Sequence, residues 1–159
     1  MSLAYFVEKW CLAEYPPEQV SEAGLRSAED QLGVRFPTDY REAVLEIGLP
    51  RPTIALLDAV VERELDVIVI GDFYSPKEMI EETIGWRELG MPNELVAFAG
   101  DGGGNKFCFD KNRLDEGGDD GAVWLFDHEF GTAECVAPSF DAWISAMCDV
   151  EPWPGTELG

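Results

Sequence analysis

One stretch constrains this chain more than any other: Phe98-Ala99-Gly100-Asp101-Gly102-Gly103-Gly104-Asn105-Lys106-Phe107-Cys108-Phe109-Asp110. Two apolar, strand-like runs flank a hinge of glycines, an aspartate and an asparagine. Glycine enters the left-handed backbone region without steric cost, and Asn and Asp tolerate it better than most residues. Gly102, Gly103 and Gly104 therefore form a hinge that turns sharply and hands one strand to its neighbour. The residues upstream read mainly as helices covering this sheet, and those downstream as more sheet and a closing helix.

The helices announce themselves through caps and spacing. Leu3, Phe6, Val7 and Trp10 lie at i, i+3, i+4, i+7, the mark of one buried stripe, with Ser2 placed to cap it. Ser21 caps a second helix that turns Leu25, Ala28 and Leu32 inward, and Gly33 stops it. A third begins at Thr38 or Asp39, presents Tyr40, Ala43, Val44 and Ile47, and ends at Gly48. Ser75-Pro76-Lys77-Glu78 is a capping box with proline at the first helical position. The helix it opens is expected to bury Met79, Ile80, Thr83 and Ile84. Ser139 caps a last helix with Phe140, Trp143, Ile144 and Met147 inward.

The strands are read from β-branched and aromatic runs bounded by turn formers: 66–71, 95–99, 106–110, 122–127 and 132–136. In the third run Phe107 and Phe109 share one face and Cys108 takes the other. The fourth is apolar on both faces and suits an interior strand. Residues 53–61 are apolar without a clear period, and 113–121 read as an acidic, glycine-bearing loop. The order of elements is not a βαβ alternation. It predicts an α+β fold, with a mainly antiparallel sheet flanked by helices, as a single domain over 1–150 and a loose tail over 151–159.

Charge narrows the function. Across 159 residues, 32 acids face 11 bases, a formal net charge of −21. Repulsion from phosphates argues against nucleic acid and anionic membranes as partners, and the balance favours a basic protein partner or simply high solubility. Cys11, Cys108, Cys135 and Cys148 form no CxxC pair, so a zinc ribbon or thioredoxin motif is not indicated. They read as buried free thiols in a reducing, cytoplasmic setting. No secretory signal or membrane-length apolar run stands out, and neither a cofactor nor a metal is expected.

Two constellations invite chemical readings. The glycine hinge lacks the Lys-Ser/Thr of a phosphate loop and opens onto a strand, where such loops open onto a helix. It also lacks the spaced oxygen ligands and terminal glutamate of a calcium loop. Asp127-His128-Glu129 holds the sole histidine, beside two carboxylates that could serve a general base or a metal. Successive strand residues point to opposite faces, which argues against convergence of all three, and no nucleophile elbow accompanies them. A histidine that shapes the turn through a hydrogen bond fits better. Acidic groups at Asp110, Asp115, Glu116, Asp119 and Asp120 read as a solvated cluster, or as a field able to attract a basic partner.

Taken in order, these residues resemble the SMI1/KNR4 (SUKH) superfamily. The resemblance begins at Glu29-x-x-Leu32-Gly33-x-x-Phe36-Pro37-x-Asp39-Tyr40 and resumes at Phe98-Ala99-x-Asp101-Gly102-Gly103-Gly104-Asn105 with Phe107-Cys108-Phe109-Asp110. It ends with Val123-x-x-Phe126-Asp127-His128-Glu129 and Ser139-Phe140-x-x-Trp143. It covers most of residues 20–148. The family's usual glycine pair after the third helix is present only as Gly48-Leu49-Pro50. The resemblance implies an antiparallel sheet flanked by helices and no catalytic residues. It also implies a protein-binding role: bacterial members are implicated as immunity proteins that neutralise toxins, often nucleases or deaminases, and fungal relatives in cell-wall regulation. The expected contacts are Asp101, Asn105, Asp115, Glu116, Asp119, Asp120, His128 and Glu129. The alternatives are an adaptor for an endogenous protein and, last, a hydrolase using His128 with a nearby carboxylate.

Overall fold

The computed structural model describes residues 2–115 and 121–154. Among these residues seven helices and five strands follow one another as α1 (Ser2–Trp10), α2 (Glu22–Leu32), α3 (Thr38–Glu46), α4 (Ala55–Glu62), β1 (Asp72–Phe73), α5 (Pro76–Glu88), β2 (Leu95–Gly100), β3 (Lys106–Asp110), α6 (Lys111–Asp115), β4 (Val123–Asp127), β5 (Thr132–Ala137) and α7 (Phe140–Cys148). The strands form one sheet in chain order, β1-β2-β3-β4-β5, every neighbour antiparallel. The fold is α+β, as the element order predicts. β4 lies between β3 and β5, in keeping with its two apolar faces.

Helix ends follow from their caps. The Ser21, Ser75 and Ser139 side chains accept from the backbone N–H groups of Gly24, Glu78 and Ala142, and the Ser75–Glu78 box is reciprocal. Gly33 closes α2 at φ 65°. Ser2 is not a cap. It is the first residue of α1, and its N–H and hydroxyl both donate to the Asp141 carboxylate on α7. Asp39 in turn accepts from the backbone N–H of Asp141 at 3.0 Å, so α3, α7 and α1 are chained end to end.

The core is aromatic. On one sheet face Phe98 stacks on Phe109 with centroids 4.1 Å apart, and Tyr40 of α3 sits among Phe36, Phe98, Phe109 and Phe140. Phe107 meets Trp143 of α7 on the same face. Such pairs add about 0.5–1.5 kcal/mol each beyond the area they bury. A bulge in β2 at 97–99 interrupts the ladder. Beside it, Ala97 donates its N–H to the buried hydroxyl of Thr83 on α5.

Several expectations are corrected. The β-branched run 66–71 is not a strand: residues 66–70 are irregular, and pairing begins at Asp72, just after the Gly71 N–H reaches the Gly100 carbonyl. Burial, not pairing, accounts for Val69 and Ile70. Residues without a clear period contain α4, and a short helix, α6, occupies the start of the expected acidic loop. Ile84 is exposed, while Val7, Ile47 and Ile80 are only partly buried. Cys135 is exposed on the outermost strand, so the four thiols are not all buried. No helix among the described residues is long and apolar enough to cross a membrane.

Candidate functional site

The glycine hinge is the loop between β2 and β3, where Gly100 pairs with Lys106. Asp101 organises it. Its Oδ1 accepts from the N–H groups of Gly103 (2.7 Å) and Asn105 (3.1 Å), and its own N–H donates to the Asn105 carbonyl. Gly102 and Gly104 take φ values of +84° and +101°, which only glycine adopts freely. The loop's tip, Gly102 and Gly103, is exposed.

The β4–β5 turn lies against this loop. His128 is hydrogen-bonded there: both its backbone N–H (3.3 Å) and its Nδ1 (2.8 Å) meet Asn105 Oδ1. An oxygen accepting from the backbone N–H requires the ring to donate as well, which places the proton on Nδ1. The imidazole packs edge-on to Trp86 and covers Gly104 so closely that an added Cβ would lie 2.8 Å from the ring. Asp127 is likewise engaged, its Oδ1 accepting from the N–H groups of Glu129 and Phe130. The histidine-carboxylate reading is thus not realised in these contacts, since His128 turns to Asn105 and Asp127 to its own turn.

Beneath the loop is a group that sequence reasoning missed. Lys106 is buried, donates to the Tyr74 hydroxyl (2.7 Å), pairs with Glu82 (3.2 Å) and lies over the Tyr74 and Trp86 rings. Burial by itself would lower its pKa, but Tyr74 and Glu82 outweigh that and hold it above the ordinary lysine value. Burial raises the Tyr74 hydroxyl. A lysine opening a strand looks like a surface residue. Only the tertiary approach of β1 and α5 makes it a buried post under the loop.

Of the expected contacts, the structure brings Asp101, Asn105, His128 and Glu129 together through the paired loop and turn. Asp115 ends α6, and Glu116, Asp119 and Asp120 lie outside the described residues. Exposed at the turn beside Glu129 is Phe130, 78% accessible, a large apolar side chain that no periodic pattern marks in the sequence. A groove between α1 and α7, lined by Tyr5, Lys9, Ser145 and Cys148 among others, shares no residue with this site. Among the described residues no group of three or more His, Cys, Asp or Glu side chains could hold a metal ion.

Comparison with known proteins agrees with this architecture. A protein of Pseudomonas syringae pv. tomato, known from a crystal structure, is 21% identical, with a TM-score of 0.55 over 91% of this chain and 93% of that one. At that identity the likeness speaks for the fold. No curated protein matches. The profile of the SMI1/KNR4 family (SUKH-1) matches residues 19–146, from just before α2 to within α7. The chain belongs to the SMI1/KNR4 family.

Proposed function

We propose that this protein is a non-enzymatic binding module of the immunity type, which neutralises a basic bacterial toxin by occupying its surface. The observation that carries the reading is how the polar groups at the hairpin are used. Asp101, Asn105, Asp127 and His128 spend their hydrogen bonds on holding two loops in fixed shapes. What they hold outward is the exposed tip, Gly102 and Gly103, with the exposed Glu129 and Phe130 on the adjoining turn. Pre-organised loops lose little entropy on binding, which suits recognition. An exposed aromatic beside a carboxylate suits a cationic protein surface, and a net charge of −21 would steer such a partner in. Family membership supports a protein-binding role in general.

The test is protection. A basic nuclease- or deaminase-type toxin, sought first among the products of the neighbouring genes, is expressed alone and with this protein. Growth restored by the wild type and lost with Phe130→Asp supports the reading. Unchanged toxicity in the presence of well-folded protein contradicts it.

A further inference from the structure

Helix α4 has two apolar faces, and the fold uses only one. Ala55, Leu56, Ala59 and Val60 are buried. Ile54, Leu57 and Val61, at i, i+3 and i+7, fall on the opposite side of the helix and remain 61, 48 and 61% exposed. Leu65 and Ile68, also exposed, extend the apolar run beyond the helix end. Single exposed apolar residues are ordinary on a protein surface, but a repeat at helical spacing is the ridge that one helix offers for side-by-side packing against another.

The charge around this face selects the occupant. Asp58 and Glu62, one turn apart, flank the stripe on one side, and Glu64 and Asp66 follow. Arg63 is the sole basic residue in 54–68. Its guanidinium donates to the Glu151 and Pro152 carbonyls and lies over the Trp153 ring, tying it to the chain's own C-terminal segment. A second copy of this chain would set acid against acid.

We propose that the exposed face of α4 receives an amphipathic helix of a partner protein, with apolar residues at helical spacing and Lys or Arg along its flank. The proposal rests on the reading above only in taking the chain to act by binding protein, and it adds a surface separate from the hairpin. Leu57 and Val61 would be the anchors, and the Asp58–Glu62 edge would set the orientation.

The probe is a synthetic peptide of about four helical turns, with leucines on one stripe and lysines on the rest. A scrambled peptide of the same composition is the control. Chemical-shift mapping on the intact, isotope-labelled protein locates the site, and anisotropy measures affinity. The expected result is shifts concentrated on 54–68, with binding about tenfold tighter than for the scramble and about tenfold weaker in Leu57→Asp/Val61→Asp. Equal affinity for the scramble, shifts centred on 101–105 and 128–130, or a dimer that Leu57→Asp dissolves would each overturn the proposal. If the double variant loses its native spectrum, the shift map of the unmodified protein decides alone. No toxin enters this experiment, so its failure leaves the immunity reading intact, and failed protection leaves this one intact.

Discussion

Gly104 shows how closely single residues are fitted at the hairpin. Its φ of +101° disfavours any side chain, and a Cβ there would meet the His128 ring at 2.8 Å. Gly102 has a comparable φ, +84°, but no heavy atom within 4 Å of its Cβ position. Gly102→Ala should therefore cost about 1–2 kcal/mol from backbone strain alone. Gly104→Ala should cost more and displace His128, seen as a larger fall in the urea midpoint and a shift of the imidazole signals. The tightness of this contact was not legible in the sequence. The glycines and Asn105 mark a turn, and the sole histidine reads correctly as a turn-shaping group. Its partner, 23 positions away, is set only when β3 and β4 pair.

At the scale of elements, legibility tracks whether the signal is local. The Ser21, Ser75 and Ser139 caps act within one turn, so those helix starts read correctly. α4 was hidden because its solvent face is apolar too, which erases the helical period. The run 66–71 misled for the opposite reason: its β-branched composition suits a strand, yet the ladder with β2 begins only at Asp72. Tyr40 tests the packing between elements. It is 1% exposed, touches four aromatic rings, and among the described residues its hydroxyl has only the Met79 sulfur, 3.5 Å away. Tyr40→Ala should cost about 3–5 kcal/mol. Tyr40→Phe should cost under about 1 kcal/mol, because a thioether is a weak acceptor. Denaturation of the two variants measures the difference.

For the whole molecule, pH dependence follows from groups that hold protons more tightly when folded. Burial raises the Cys11 thiol from 9.0 to about 11 and pushes Cys108, Tyr40 and Tyr74 upward as well, while Lys106 is also held above its ordinary value. Above pH 9 the unfolded chain binds fewer protons than the folded one, so unfolding free energy falls as pH rises. Stability should be flat from neutrality to about pH 8.5 and decline steeply towards pH 11, followed by thermal unfolding across that range. A flat profile through pH 11 would contradict the burial assigned to these groups.

Stoichiometry separates occupancy, the mode of action proposed above, from a chemical one. Purified toxin is titrated with this protein while the toxin's activity is followed. Occupancy gives a linear loss that is complete at about one equivalent, weakened as salt screens the charges, and reversed when the complex is taken apart. Inactivation at a small fraction of an equivalent, continuing with time and persisting after separation, would mean that bonds are made or broken, and would rule out action by occupancy.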